Sequence, residues 1–215
     1  MDFLTDELNE YIEKYTRKES DVLKRLNRET YLKMLMPRML SGHLQGQVLR
    51  MFSMMIAPKN ILEIGTYTGY SAICLSDGLK DGGKLHTIDI NEEYEEIISR
   101  YFKEAGAENK IKRYIGNAMD IIPTINESFD LVFIDADKEN YSNYFDLVFD
   151  MVPIGGYILA DNVLWSGKVL EKPETLDIDT KALINYCNKV ESDPRVENVL
   201  FPIRDGIMVC RKISN

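Results

Sequence analysis

From Pro58 onward the chain alternates short apolar runs with amphipathic stretches, and this alternation restricts its fold more than any other feature. Apolar runs at Ile61–Ile64, Lys84–Ile90, Ile111–Ile115, Leu131–Ile134 and Tyr157–Ala160 have the length and content of buried strands. Helical spacing recurs between them, near Tyr70–Leu79, Glu92–Ala105 and Tyr141–Met151. A strand joined through a helix to the next strand makes a right-handed crossover, so repeating the unit builds a parallel sheet with helices on its faces. Gly82-Gly83, Gly106 and Gly155-Gly156 supply the turns. The tail breaks the rhythm. A loop from Asn162 to about Pro173 leads to a helix over Asp177–Val190, and Val196–Phe201 and Ile207–Arg211 then flank Pro202–Gly206 as a closing hairpin. The expectation is an α/β fold, a Rossmann-like and mostly parallel sheet whose last strand runs antiparallel.

Before Pro58 the texture is helical. Phe3, Leu4, Leu8, Tyr11, Ile12 and Tyr15 recur at helical spacing, and Val22, Leu23, Leu26, Tyr31 and Leu35 continue the pattern until Pro37 stops it. A second amphipathic stretch runs from Leu44 to Ile56. In a chain of 215 residues this reads as one domain, with helices over 1–57 covering a site on a core over 58–215. A net charge of −9 gives little general attraction for nucleic acid or an anionic membrane. The opening residues lack the basic and apolar segments of a signal peptide, and no apolar run nears the ~20 residues of a membrane span. Cys74, Cys187 and Cys210 have no metal-ligand spacing and read as reduced thiols. A cytoplasmic location is expected.

Two groups of residues carry chemistry. The segment Leu62-Glu63-Ile64-Gly65-Thr66-Tyr67-Thr68-Gly69-Tyr70-Ser71 is a strand entering a glycine-containing turn and then a helix. Ligands bind there in open α/β sheets, because glycine lets backbone approach them closely. Asp89 closes the second strand, where an acid accepts hydrogen bonds from ribose hydroxyls. A dinucleotide site needs GxGxxG to seat a pyrophosphate, whereas this turn reads Glu-x-Gly-x-x-x-Gly. The acid at Glu63 repels phosphate and suits a cationic amino-acid ligand such as S-adenosylmethionine.

The second group follows two later strands. Asp135, after the run ending at Ile134, and Asp161-Asn162, after the run ending at Ala160, offer three hard oxygens of the kind Mg²⁺ prefers. Octahedral Mg²⁺ held this way keeps open positions for a chelating substrate, such as a vicinal diol. Lys138, a turn beyond Asp135, is placed to take a proton from the attacking hydroxyl. Asp137 reads as a cap or turn residue.

At these residues the chain resembles the cation-dependent O-methyltransferases, which include catechol and caffeoyl-CoA O-methyltransferases. The resemblance runs from about Met39 to Arg211 and rests on the glycine turn, on Ile134-Asp135-Ala136-Asp137-Lys138-Glu139-Asn140-Tyr141, and on Asp161-Asn162-Val163-Leu164-Trp165-Ser166-Gly167. It implies the class I S-adenosylmethionine-dependent methyltransferase fold, with seven strands. It also implies a metal held by Asp135, Asp161 and Asn162, and Lys138 as catalytic base. The implied cofactor contacts are Met39, Glu63, Gly65, Ser71, Asp89, Asn117, Ala118 and Asp135. Homodimers are common in the caffeoyl-CoA-like branch, and animal catechol enzymes are monomers. Asp137 stands where the animal enzymes have a tryptophan wall, and Asn117 where many bacterial relatives have Asp. Bacterial members also include tRNA 5-hydroxyuridine methyltransferases with the same motifs, so small-molecule catechols lead and tRNA is the alternative. A non-catalytic cofactor-binding module has no use for Asp135, Lys138, Asp161 and Asn162 together. His43 is expected to face solvent or cap a helix. Trp165 either walls the substrate or anchors its loop. The basic residues Lys24, Arg25, Arg28, Lys33 and Arg38 read as a solvated face.

Overall fold

A computed structural model describes residues 4–215; Phe3, the first residue of the expected N-terminal pattern, lies outside the described residues. Seven strands form one sheet: β1 (Asn60–Ile64), β2 (Lys84–Asp89), β3 (Ile111–Ile115), β4 (Leu131–Ile134), β5 (Tyr157–Asp161), β6 (Val196–Phe201) and β7 (Ile207–Lys212). Their order is β3-β2-β1-β4-β5-β7-β6. The first five pair in parallel, and β7 lies antiparallel to both β5 and β6, as the hairpin reading requires. Chain order reverses direction at β1 and β4, and a crevice opens at the carboxyl ends of those two strands. That switch point is where open α/β sheets bind ligands.

The helices are α1 (Asp6–Tyr15), α2 (Asp21–Lys33), α3 (Gly42–Ile56), α4 (Tyr70–Ser76), α5 (Glu95–Glu104), α6 (Ala118–Ile121), α7 (Tyr141–Phe149) and α8 (Ile178–Ser192). Ile61, Phe133 and Leu159 point to one face of the sheet, where they meet Leu26, Leu49, Tyr70 and Phe102. Leu62, Ile134 and Ala160 point to the other, against Phe145, Leu183 and Tyr186. Central strands buried on both faces explain why the runs at β1 and β4 read as continuous apolar segments rather than alternating ones.

Several boundaries differ from the sequence reading. The N-terminal pattern divides at Thr16–Ser20, because Ser20 restarts a helix by accepting from the Leu23 N–H while Thr16 is extended. Helix α1 buries none of its residues, whereas α2 buries Leu23, Leu26 and Thr30. Strand β2 ends at Asp89, and Ile90 is exposed. Helix α6 and the 3₁₀ turn Ile122–Thr124 escaped notice because four residues followed by Pro123 carry no readable periodicity. The loop after β5 holds a kinked 3₁₀ segment, Trp165–Leu170, with Ser166 and Gly167 in the left-handed region.

Candidate active site

The crevice depends on a residue without a side chain. Gly65, just past β1, has φ +102°, and a Cβ there would stand 1.9 Å from the Asp135 carbonyl oxygen. Backbone bonds lock this meeting, with Gly65 N–H donating to Ile88 and Asp135 N–H donating to Ile64. Gly69 opens α4 at φ +87°, where a Cβ would strike the Phe102 ring.

Two adjoining cavities, of about 540 and 670 Å³, share Met36, Met39, Gly65, Tyr67, Asp135 and Asp137 in their walls. The larger is lined by Asp89, Tyr94, Asn117 and Ala118. Asp89 Oδ2 accepts the Thr66 and Tyr67 N–H groups at 3.0 and 2.7 Å, and Oδ1 accepts that of Asn91 at 2.8 Å. One carboxylate therefore shapes the glycine turn and still has lone pairs to offer a ribose. Asn117 caps α6 through the Met119 N–H. Met39 is exposed in both walls, and Ser71 lies in the wall of the smaller cavity.

Glu63 departs from the expected contact set. It is fully buried, lines neither cavity, and accepts the Thr87 hydroxyl at 2.5 Å. Thr87 has a single proton to give, so Thr66 in turn donates to Thr87. Burial pushes the Glu63 carboxyl up to about 8, against the opposing hydroxyls of Ser71 and Thr87. A group held largely neutral near pH 7 cannot repel phosphate as a fixed anion. Glu63 thus lies beneath the glycine turn, and less charge resides on it than its place beside Gly65 suggests.

On the other side, Asp135, Lys138, Asp161 and Asn162 meet in the smaller cavity. Lys138 is buried, and its Nζ donates to the Tyr141 hydroxyl at 2.6 Å, to Asn162 Oδ1 at 2.8 Å and to Asp135 Oδ1 at 3.2 Å. Tyr141 passes its own proton to the Asp161 carbonyl at 3.0 Å. Asn162 stands at φ +62°, a left-handed position asparagine tolerates better than most residues. Asp161 Oδ2 accepts from Gln45 Nε2 at 2.5 Å, and Oδ1 accepts from the Asn162 N–H. Burial raises the Asp161 carboxyl above the usual range, Asp135 raises it further, and Lys138 opposes both. Among the described residues no three His, Cys, Asp or Glu side chains converge, because the third oxygen here comes from an amide. The carboxylates of Asp135 and Asp161 and the amide oxygen of Asn162 line one cavity with the Lys138 ammonium, a hard-oxygen set with a single positive charge beside it. Such a set fits Mg²⁺.

Sequence reasoning missed Gln45, Tyr141 as a partner, and Arg204. Gln45 reads as one more position of an amphipathic helix, and Arg204 as a turn residue, so neither carried a signal. Trp165 lines the cavity with its ring 5.7 Å from Lys138 Nζ and also packs against the core, which anchors its loop. Asp137 begins the 3₁₀ turn but accepts from the Tyr144 hydroxyl and the Asn140 amide rather than from backbone. His43 bonds the Arg17 carbonyl group and lines neither cavity. In the basic stretch, Arg25 pairs with Glu104, Lys33 with Glu29 and Lys24 with Asp21. All three cysteines are free, and burial pushes the thiols of Cys187 and Cys210 up to about 11 and 12.

Comparison with known proteins bears on the same residues. The family described as O-methyltransferase matches residues 13–213, starting well before Met39. Caffeoyl-CoA O-methyltransferase 5 of Nicotiana tabacum is 37% identical, over 79% of this chain and 75% of that one. The caffeoyl-CoA O-methyltransferase of Petroselinum crispum is 39% identical over the same shares. Among solved structures, the SAH-bound Podospora anserina methyltransferase PaMTH1 superposes with a TM-score of 0.88 at 28% identity, covering 97% of this chain and 95% of that one. An O-methyltransferase from Bacillus cereus in complex with SAH gives 0.87 at 26% identity, covering 96% and 97%.

Proposed function

The chain belongs to the O-methyltransferase family, using S-adenosylmethionine on a class I methyltransferase fold, and on that premise we propose that it methylates one oxygen of a small catechol-type vicinal diol with Mg²⁺ as cofactor. The carrying observation is the convergence of Asp135, Asn162 and Tyr141 on Lys138 Nζ where the two cavities adjoin. Asp135, Asp161 and Asn162 would hold the cation. The larger cavity would hold the cofactor, with Asp89 on the ribose and Met39, Gly65, Asn117, Ala118 and Asp135 around it; Ser71 would reach it from the wall of the smaller cavity, and Glu63 would support the turn from beneath. Mg²⁺ supplies a charge that gathers two adjacent oxygens and acidifies a hydroxyl, while S-adenosylmethionine supplies a methyl group activated on a sulfonium.

Lys138 is the base in this reading. An ammonium has three protons for its three acceptors, whereas the neutral amine has two protons and a lone pair. The two shorter bonds, to Tyr141 and Asn162, keep the neutral amine oriented. The longest, to Asp135, is the one given up when that proton leaves to solvent; the freed lone pair would then take the hydroxyl proton as that oxygen takes the methyl group and the sulfonium becomes a thioether. Tyr141 can accept from Lys138 because its own proton is committed to the Asp161 carbonyl. Trp165 gives the diol ring an apolar wall, and holding both reactants in line supplies much of the acceleration.

Methylation of tRNA by the same chemistry is the weaker reading, since three of the five cations in the basic stretch are committed to carboxylates. We read the chain as one cytoplasmic domain that works as a homodimer. No described helix is long and apolar enough to cross a membrane. Met55, Ile154 and Val199 leave an apolar face exposed for a second copy. The test is a labelled-methyl assay against a catechol panel and bulk tRNA, with and without EDTA. Catechol turnover that stops in EDTA and returns with Mg²⁺ is expected. Full activity in EDTA overturns the cation, and tRNA methylated far better than any catechol overturns the substrate.

A further inference from the structure

We infer that Arg204 and Gln45 are positioning residues that aim the Asp161 carboxylate at the cation, so that a hairpin turn tunes metal affinity from outside the ligand set. The inference rests on the metal reading above. Arg204 lies between β6 and β7 at φ +49°, a left-handed position that a residue with a Cβ rarely adopts. Its guanidinium Nη1 donates to the carbonyls of Leu40 and Ser41 and, at 3.1 Å, to Gln45 Oε1. Gln45 is buried on α3, and its Nε2 donates to Asp161 Oδ2 at 2.5 Å.

The chemistry of the three groups fixes the direction of the chain. Guanidinium has donors only and carboxylate has acceptors only, so the amide between them has one favourable orientation. With Arg204 in place, Oε1 faces the guanidinium and Nε2 faces Asp161. Without it, the Asp161 carboxylate alone selects the amide orientation, and Oε1 loses the donor that holds the side chain in place. Asp161 is then held less firmly by one of the two donors that set its plane, the other being the Asn162 N–H. The Leu40 and Ser41 bonds add a second constraint, because those carbonyls precede the helix that carries Gln45. Groups that orient ligands from behind commonly matter to metal affinity by about 10–100-fold.

The experiment measures Mn²⁺ binding by electron paramagnetic resonance and S-adenosylmethionine binding by calorimetry, on the full chain. Asp161→Ala should abolish Mn²⁺ binding. Gln45→Met, which preserves buried volume, should weaken Mn²⁺ binding about 10–100-fold and leave cofactor binding unchanged. Arg204→Met should weaken it in the same direction, and Arg204→Lys, which keeps a donor, should recover part of the loss. The double variant Gln45→Met with Arg204→Met should be no worse than Gln45→Met alone, since one residue acts through the other. Unchanged Mn²⁺ affinity in Gln45→Met, or additive losses in the double variant, overturns the inference while the metal reading stands. A wild type that binds no Mn²⁺, or an Asp161→Ala protein that binds it normally, overturns both.

Discussion

Two cavities on this molecule invite comparison. One, of about 680 Å³, spreads from the start of β5 across β7 and β6 and is lined by Phe52, Met55, Ile154, Tyr157, Val199 and Phe201. The other, of about 540 Å³, lies at the strand carboxyl ends around Asp135, Lys138 and Asp161. The larger is the blander. Of its charges, Asp130 accepts the Lys59 and Asn60 N–H groups, and Glu197 pairs with Arg211. Only Ala57 among its lining residues combines a side chain with a left-handed backbone, whereas the smaller cavity has Tyr67, Asn162, Trp165 and Arg204. Each such position costs about 1–3 kcal/mol and persists only where surrounding structure enforces it. Volume therefore locates an apolar surface, while desolvated charge and enforced backbone locate chemistry.

The sharpest way to break this contrast is to remove a ligand. Asp135→Ala or Asp161→Ala should abolish methyl transfer and leave the far-ultraviolet circular dichroism unchanged; a variant retaining substantial turnover would remove the cation from the reaction. Next comes Lys138→Ala, expected to lower turnover about 10²–10⁴-fold, with a smaller deficit at high pH, where the substrate ionises unaided. Normal turnover at neutral pH would take Lys138 out of the mechanism. Asp89→Ala should weaken S-adenosylmethionine and its demethylated product alike by roughly 1.5–3 kcal/mol. The upper end is expected because the turn N–H groups of Thr66 and Tyr67 lose their acceptor as well. Calorimetry showing unchanged affinity for both would move the cofactor elsewhere.

A smaller effect belongs to Glu63. Its carboxyl titrates near 4.5 when unfolded and about 8 when folded. Between those values the folded protein keeps a proton the unfolded chain has lost, so stability declines as pH rises through that window. Glu63→Gln cannot ionise, and its denaturation midpoint should stay flatter from pH 5 to 8 than the wild type's. Parallel curves would mean the carboxyl is not held neutral. Least is expected at the larger cavity. Val199→Arg should leave turnover per subunit intact and change stability within about ±0.5 kcal/mol, while sedimentation moves from dimer to monomer. A large loss of turnover there would erase the distinction between the two surfaces.

Much of this was legible from residue order. Strands β3 and β4 run over the residues that the sequence pattern assigns to them, and β1 and β5 differ by one residue at one end; β4 is the plainest case, because burial on both faces leaves an uninterrupted apolar run. Asp135, Lys138, Asp161 and Asn162 were readable because strand ends in a parallel sheet share one edge. Glu63 was misjudged for the same reason in reverse. A carboxylate beside a glycine turn suggests a ligand contact, but β-strand alternation points that side chain into the sheet face toward Thr87. Gln45 and Arg204 lie 159 residues apart. Their meeting follows from how the β6–β7 turn folds over the start of α3, which no local pattern encodes.

The contact between Gly65 and the Asp135 carbonyl has a mechanical consequence. The turn on the cofactor side and the strand end on the metal side touch through main-chain atoms, with no side chain between them. Their separation therefore acts as a fixed gauge, set by van der Waals radii rather than by rotamers. Substitutions in the surrounding side-chain walls therefore leave the spacing of these two main-chain segments unchanged. Variation in the shape of the smaller cavity is left to side chains of its wall, such as Met36, Arg38 and Trp165, while the main-chain seam beneath them stays constant.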